Sequence, residues 1–341
     1  MKSMKLHLLG AIAGAVVAGL AITQAQAETV TLRYSNWLPL NYPLNEGVMI
    51  PWIEEVEKVT EGRVRIEMTP KVVGTVPGQY DVVADGLADI SLFLPGYAPG
   101  RFPLIDGLEL SFLGNDPTKR CPATWEAYEQ FIAPLDIFKD VQVLSVYCSN
   151  SGQFVMTNKA LTSVEDFNGM KIRTPHPAIS EALELLGAVP VSKPASEVYE
   201  LASGGIIDGA VFPLDSTTGF KLEGVMKKVT LVPGGISNTM VLISVNKDAW
   251  AKVSEADQKA ILAVSEGALA ERTGKNLEKV DAEAREALKN AGAEFNTLSE
   301  EAVEQIKQKI APVRERWIAK AKEAGLDNPE AMLDFVQTRS H

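Results

Sequence analysis

The sequence predicts an α/β protein of two domains, and three observations support this. Near the N-terminus a strand pattern, a helix pattern and a second strand pattern follow one another, which is the order of a βαβ unit. The chain has 341 residues, more than the roughly 250–300 that one hydrophobic core usually serves. No internal repeat or low-complexity linker interrupts it. We therefore expect two domains that are joined by strands acting as a hinge.

Apolar periodicity places the elements of the first domain. Residues 30–34 and 64–68 alternate apolar and polar side chains, as half-buried strands do. Residues 44–60 repeat apolar side chains at helical spacing, and Glu61-Gly62 ends that helix. The further elements predicted here are a helix over 79–86, a buried strand over 88–93, a helix over 125–138 interrupted at Pro134, and a strand over 141–147.

The second domain is predicted to begin where the chain continues extended over 153–157. A turn at Asn168-Gly169 then leads into a strand over 170–172, which ends in Arg173 before Thr174-Pro175. Proline cannot continue a sheet ladder, so we expect the strand to stop there and present Arg173 to a cleft. The later elements predicted are helices over 178–186 and from 196, a buried strand over 206–212, a strand over 239–246 that returns to the first domain, and helices over 254–289 and 299–322.

The N-terminus has the pattern of a secretory signal. Lys2 and Lys5 form a basic region, residues 8–22 are apolar, and Ala25-Gln26-Ala27 has the small-x-small form of a cleavage site. The alternative is a membrane anchor, but the apolar stretch is shorter than the roughly 20 residues that span a bilayer. We therefore expect cleavage after Ala27 and a periplasmic protein.

The charge balance limits the partners of the mature chain. Loss of Lys2 and Lys5 with the signal takes the formal charge from −11 to −13. So acidic a surface argues against nucleic acid and against anionic lipid as partners. An anionic solute would have to be captured by a local positive site, because the overall field opposes it.

The two cysteines fit an exported protein. Cys121 and Cys148 are the only ones, and an even number in an oxidising compartment predicts a disulfide between them. Two buried, unlinked thiols are the alternative, because the sequence does not give the distance between the two residues.

The residues of common catalytic and metal sites are scarce. The three histidines are His7 in the signal, His176, and His341 at the end of the chain, which excludes most histidine-based triads and zinc sites. There is no G-x-S-x-G, P-loop or G-x-G-x-x-G motif. We expect neither an enzyme nor a cofactor nor a bound metal.

Six motifs resemble the DctP-type periplasmic solute receptors of tripartite ATP-independent periplasmic (TRAP) transporters. The resemblance runs from about Leu32 to the C-terminal helices, and the motifs occur in the family's order and spacing. They are VTEGRVRIEMTP, DGLADISLF, GRFPL, SVEDFNGMKIRTP, EVY and GGIIDG.

The resemblance implies a two-lobed, type II-like periplasmic-binding-protein fold, with an interdomain cleft and long C-terminal bracing helices. Residues 28–150 plus 239–278 are expected to form lobe I. Residues 151–238 plus 279–341 are expected to form lobe II with the C-terminal helices. The expected partners are the small and large membrane subunits of a permease, served by a monomeric receptor.

Arg173 is the first candidate ligand residue. Its planar, permanently charged guanidinium suits a carboxylate, and in the resembling family the matching arginine forms this salt bridge. Many members carry a second basic residue on the preceding strand, where this chain has Gln153. An amide cannot neutralise a second carboxylate, so a dicarboxylate or a sialic-acid-like solute is disfavoured.

Further candidates come from positions near the predicted strand ends. Trp37 and Tyr97 match family positions that contact the ligand, and Phe212 stands where many relatives carry a polar residue. Asp215 could accept hydrogen bonds from a ligand or, equally, cap a helix. The remaining candidates are Phe102, Asn238 and His176, for which packing at the domain edges or a rigid loop is the alternative.

These residues predict a receptor for a small organic monocarboxylate with an apolar or aromatic part. An ABC-type receptor of similar fold is one alternative. Another is an amine or alcohol bound through Asp215, with Arg173 in an internal ion pair. A periplasmic enzyme is the third, and it would need a catalytic group that the sequence does not display.

Overall fold

The computed structural model describes residues 29–340. The predicted signal sequence and its cleavage site lie outside these residues. Within them, no helix combines the length and the apolar character needed to cross a bilayer.

Eleven strands are found in the described part of the chain. In chain order they are β1 (Val30–Ser35), β2 (Val64–Met68), β3 (Ile90–Phe93), β4 (Val141–Cys148), β5 (Gln153–Met156), β6 (Lys171–Thr174), β7 (Val189–Ser192), β8 (Gly209–Phe212), β9 (Lys228–Leu231), β10 (Met240–Asn246) and β11 (Glu294–Thr297).

Eleven α-helices accompany them within the same residues, besides short 3₁₀ and π turns. They are α1 (Ile50–Val59), α2 (Gln79–Ala84), α3 (Pro117–Ala127), α4 (Pro177–Leu185), α5 (Val198–Ser203), α6 (Leu214–Gly219), α7 (Lys247–Trp250), α8 (Glu255–Val264), α9 (Glu266–Asn290), α10 (Glu300–Glu323) and α11 (Pro329–Ser340).

The strands form two sheets, one in each lobe. Lobe I has the order β2-β1-β3-β10-β4, in which β1 is parallel to β2 and β3 while β10 runs antiparallel to its neighbours. Lobe II has the order β11-β9-β5-β8-β6-β7, in which β6 is parallel to β7 and β8. Because parallel strands present their carboxyl ends at one edge, β1 and β3 open a site on lobe I, as β6 and β8 do on lobe II.

Two chain segments cross between the lobes and lie side by side. One connects β4 to β5, and the other connects β9 to β10. The Gly152 amide donates to the Ser237 carbonyl at 2.9 Å, and the Ser149 amide donates to the Thr239 carbonyl at 2.9 Å. The two lobes are therefore joined by a pair of hydrogen-bonded extended segments, called here the hinge segments.

Helix α9 packs against both lobes. It contacts α3 and β4 of lobe I and α6 of lobe II. The expected division between residues 278 and 279 falls inside this helix, which runs without a break from Glu266 to Asn290. Strand β11 follows α9 in the chain and pairs with β9 in the sheet of lobe II. Helix α9 thus connects the two lobes a third time.

The main departures from the predicted elements concern helices. Helix α3 begins at Pro117 and not at Trp125, because Asp116 caps it through the Thr118 amide and a proline is tolerated in a first turn. The helix predicted over 254–289 is two helices separated at Ser265. Strand β6 continues through Arg173 to Thr174, so Arg173 is not its last residue.

A disulfide joins Cys121 of α3 to Cys148 at the end of β4, with the two Cα atoms 4.7 Å apart. Both cysteines are buried. The bond attaches α3 to the strand that leads directly into the hinge.

Gly274 allows α9 to approach α3 closely. A Cβ built at this glycine would lie 2.4 Å from the Pro117 carbonyl oxygen, which belongs to the backbone and cannot rotate away. We predict that Gly274→Ala lowers the free energy of unfolding by about 1–2 kcal/mol, because overpacking outweighs the better helix propensity of alanine.

Urea unfolding followed by circular dichroism measures this effect. Gly224→Ala is the matched control, since a Cβ there meets nothing within 4 Å, and we expect a change within about 0.5 kcal/mol. Equal stabilities for the two variants would contradict the close packing of α9 on α3.

Candidate functional site

A cavity of ≈ 90 Å³, called here the interlobe cavity, lies between the two lobes. The loops after β1 and β3 line it from lobe I, and the ends of β6 and β8 with α6 line it from lobe II. The hinge segments and α9 form the remaining wall. The cavity therefore lies where the carboxyl ends of the parallel strands of both lobes face each other.

Arg173 is the only basic residue among the described residues that line this cavity, and it is only 2% exposed. Its Nε donates to the Lys193 carbonyl at 2.7 Å, and its Nη1 donates to the Val211 carbonyl at 3.4 Å. Burial lowers the pKa of the guanidinium. Among the described residues, no carboxylate lies within salt-bridge distance of it. A buried cation is thus held by neutral oxygens only.

Tyr97 connects lobe I to this arginine. Its hydroxyl oxygen accepts hydrogen bonds from Arg173 Nη2 at 3.2 Å and from the Ala195 amide at 2.9 Å. Trp37 lies beside it, with the two ring centroids 6.4 Å apart. The indole Nε1 of Trp37 donates to the Leu92 carbonyl at 2.9 Å, which fixes the ring at the mouth of the lobe I sheet.

Aromatic rings form the wall opposite these residues. Phe212 is buried, and the guanidinium carbon of Arg173 lies 5.2 Å from its ring centroid. Phe220 packs against Phe212 at 5.9 Å and against Tyr42 at 5.3 Å. The Tyr42 hydroxyl lies 2.7 Å from Ser216 Oγ, which adds a further hydrogen bond between the lobes. Most of the cavity wall is apolar, and the sequence analysis did not single out Tyr42 or Phe220.

Asp215 is a buried carboxyl group in the same cavity wall. It is 4% exposed and lies in the first turn of α6, where Pro213 occupies the N-cap position, so the alternative that Asp215 caps this helix is wrong. Its Oδ1 accepts a hydrogen bond from Asn150 Nδ2 at 2.9 Å. Burial, with a smaller contribution from Asp281, raises the pKa of Asp215 to about 6.

Gln153 does not line the interlobe cavity. Its Oε1 accepts from the Val232 amide at 2.7 Å, and its Nε2 donates to the Ser151 carbonyl at 3.4 Å. It faces a separate polar cavity of ≈ 230 Å³, whose wall also includes Asn150 and Asp281. The neutral amide therefore serves the hinge backbone in this structure.

His176 and Asn238 lie near the hinge, outside the cavity lining. His176 is fully buried, its Nδ1 accepts from the Ile179 amide to cap α4, and its Nε2 lies 2.9 Å from Ser237 Oγ. Burial and the Arg173 charge lower the pKa of His176 to about 3. Asn238 donates to the Leu110 carbonyl at 2.8 Å.

Phe102 belongs to an aromatic cluster inside lobe I and does not reach the interlobe cavity. Its ring centroid lies 5.0 Å from that of Tyr80, 5.8 Å from that of Phe93 and 4.9 Å from that of Phe138. Of the nine predicted ligand residues, the cavity lining contains Trp37, Tyr97, Arg173, Phe212 and Asp215.

Among the described residues, no group of three or more histidine, cysteine or acidic side chains is arranged to hold a metal ion.

Comparison with protein families matches residues 34–321 to DctP, bacterial extracellular solute-binding protein family 7. Two curated relatives align over most of their length. The outer membrane transporter protein TsaT of Comamonas testosteroni is 26% identical, over 96% of this chain and 96% of that protein. The C4-dicarboxylate-binding periplasmic protein DctP of Rhodobacter capsulatus is 28% identical, over 91% of this chain and 93% of that protein.

Three similar crystal structures contain aromatic acids. The TRAP periplasmic solute-binding protein of Bordetella bronchiseptica, with bound (R)- and (S)-mandelate, has a TM-score of 0.88 and 33% identity and covers 91% of this chain and 98% of its own. A marine metagenome TRAP protein with 3-hydroxybenzoate has a TM-score of 0.86 and 30% identity, over 92% of this chain and 98% of that protein's chain. A Rhodoferax ferrireducens TRAP protein with copurified benzoate has a TM-score of 0.85 and 27% identity, over 92% of this chain and 98% of that protein's chain.

The raised pKa of Asp215 predicts a pH-dependent stability. Because its folded pKa of about 6 lies above the ordinary value of 3.8, its stabilising contribution is present below pH 4 and is lost as the pH rises to 6. The loss is at most about 3 kcal/mol. We therefore expect Asp215→Asn to be more stable than wild type at pH 7.5 and close to wild type at pH 4.

Urea unfolding of the unliganded protein at the two pH values tests this prediction. A stability difference between wild type and Asp215→Asn that stays the same from pH 4 to pH 7.5 would show that the carboxyl group does not titrate as described.

Proposed function

Since the chain belongs to the DctP family of bacterial extracellular solute-binding proteins, it is a TRAP-type solute receptor for an organic acid, and we propose that its solute is a small aromatic monocarboxylate. In this proposal the carboxylate pairs with Arg173 and the ring lies among the aromatic and aliphatic side chains of the interlobe cavity.

The proposal rests on the buried Arg173, which has no carboxylate partner within residues 29–340. Taking an ion out of water is costly unless an opposite charge compensates it. Arg173 is held by two backbone carbonyls and one tyrosine hydroxyl, none of them charged. A ligand carboxylate would supply the missing charge, and a planar fork can hold it through two hydrogen bonds.

The rest of the cavity supports one carboxylate and an apolar body. Its lining includes aliphatic and aromatic side chains such as Leu92, Val211, Phe212 and Phe220. A second carboxylate would meet no second basic residue among the described lining residues, and it would approach Asp215. The relatives of known structure with benzoate, 3-hydroxybenzoate and mandelate add support, because those ligands have the same combination of one carboxylate and a ring.

The contacts between the lobes suggest how binding would be coupled to closure. Tyr97 of lobe I hydrogen-bonds Arg173 and Ala195 of lobe II, and Tyr42 of lobe I contacts Ser216 of lobe II. We propose that the lobes, divided near residues 150 and 239, open about the paired hinge segments to admit the solute. The monomeric, loaded receptor would then deliver it to the small and large membrane subunits of the permease for import.

Export and the absence of catalysis belong to the same proposal. Cleavage after Ala27 would release the receptor into the periplasm, where the family acts. The solute would be bound and released unchanged. Of the alternatives, the amine or alcohol required Arg173 to sit in an internal ion pair, and no described carboxylate provides one. The family membership argues against the ABC-type alternative.

Replacement of Arg173 tests the proposed ligand contact. We predict that Arg173→Met weakens binding of benzoate, 3-hydroxybenzoate or mandelate, whichever binds wild type most tightly, by at least about 100-fold, because a charge-assisted hydrogen-bonded pair is lost. Isothermal titration calorimetry measures the affinities. Without ligand, we expect the variant to be at least as stable as wild type, because a buried, unpaired charge has been removed.

Arg33→Met is the matched control. Arg33 lies on β1, is mostly exposed and pairs with Asp89 at 3.1 Å, away from the interlobe cavity. Its loss should leave the affinity unchanged within about twofold. The proposal is wrong if Arg173→Met binds the acid as tightly as wild type, or if wild type binds none of the aromatic acids.

A further inference from the structure

Arg173 and Asp215 are the two side chains among the described lining residues of the interlobe cavity that carry a charge near neutral pH, and they do not pair with each other. Arg173 contacts Tyr97 and two backbone carbonyls, whereas Asp215 contacts Asn150. The two groups are not within salt-bridge distance, and both are at least nine-tenths buried. The cavity therefore presents a hydrogen-bond donor group at one place and a carboxyl group at another, with apolar walls elsewhere.

Asn150 holds the Asp215 carboxyl in a fixed orientation. The Nδ2 of Asn150 donates to Asp215 Oδ1 at 2.9 Å and to the Leu277 carbonyl of α9 at 3.0 Å. Both donor hydrogens of this amide are thereby used. Asp215 Oδ1 accepts this hydrogen bond from the side of the hinge and of α9, and no second side chain among the described residues donates to the carboxyl group, which lines the cavity.

The groups around Asp215 are neutral or acidic. Burial raises the pKa of the Tyr42 hydroxyl, and the charge of nearby Asp215 raises it further. Asp281 of α9 lies behind Asn150 and opposes ionisation of Asp215. Arg285 pairs with Asp281 at 3.8 Å. No cation among the described residues reaches Asp215, so a ligand that approaches it has to satisfy a hydrogen-bond acceptor.

We propose that Asp215 is a specificity-determining residue, which selects aromatic monocarboxylates bearing a hydroxyl group on the ring, away from the carboxylate held by Arg173. The ring hydroxyl donates to the second carboxyl oxygen of Asp215. This inference rests on the proposed function and adds a second contact to it. An unsubstituted ring would leave a buried carboxyl oxygen without a partner. A second carboxylate at the same place would be repelled by a like charge.

A panel of five related acids tests the inference by isothermal titration calorimetry at pH 7.5. The probes are benzoate, its ring-hydroxylated forms 3- and 4-hydroxybenzoate, and the corresponding dianions isophthalate and terephthalate. For wild type we expect one hydroxybenzoate to bind about tenfold or more tightly than benzoate, with the dianions weakest. Asp215→Ala should reduce the ratio of hydroxybenzoate to benzoate affinity to within about threefold.

Asp215→Asn gives the sharper test. The Oδ1 of the new asparagine still accepts from Asn150, and an amide donor replaces the second carboxyl oxygen. The dianion whose second carboxylate occupies the ring position of the preferred hydroxyl group should therefore bind about tenfold more tightly than it does to wild type. Asp106→Asn is the control, because burial also raises the pKa of Asp106 to about 6 but this residue does not line the cavity. Its selectivity should equal that of wild type.

The outcomes separate this inference from the proposed function. If wild type binds benzoate tightly and shows no preference for a ring hydroxyl group, the role of Asp215 is overturned and the monocarboxylate receptor stands. The same holds if the preference survives in Asp215→Ala. Failure of wild type to bind any of these acids overturns both. If Asp106→Asn also loses the preference for the ring hydroxyl group, the effect comes from general destabilisation of the protein, and the inference is overturned.

Discussion

The burial of one positive charge, without a negative partner in the part of the chain that the structure describes, is the constraint on which the site depends. Arg173 is fixed between the two lobes by backbone carbonyls and by the Tyr97 hydroxyl. Each of these oxygens stabilises the guanidinium in part, and none neutralises it. The lobes therefore enclose a cavity that favours an anion, in a protein whose formal charge of −11 repels anions at long range. Capture has to depend on the local contact.

The architecture holds this contact in place from several directions. Parallel strands of both lobes end at the cavity, and the hinge consists of two hydrogen-bonded segments in place of a single linker. Helix α9 packs on both lobes and provides the Leu277 carbonyl that orients Asn150, which in turn holds Asp215. The same scaffold thus sets the positions of Arg173 and Asp215 in the cavity.

Local sequence patterns were reliable for the strands and less so for the helix ends. Alternation predicted β1 and β2 closely, because one face of each strand is more buried than the other. The start of α3 was missed because Pro117 and Pro122 lower the helix signal, although Asp116 is a good N-cap. The break at Ser265 was missed because Ala, Glu and Lys continue on both sides of it.

The sequence by itself determined the α/β class, the family and the arginine placed beside a strand end, because these follow from residue order and from motifs along one chain. The tertiary structure decided which side chains share the cavity. It brought Tyr42 and Phe220 to Arg173 and turned Gln153, His176 and Phe102 toward hinge and core, since these contacts join residues far apart in the chain. It also decided that Arg173 has no counterion among the described residues. A charge can be read from the sequence, but its partner depends on which segments the fold brings together.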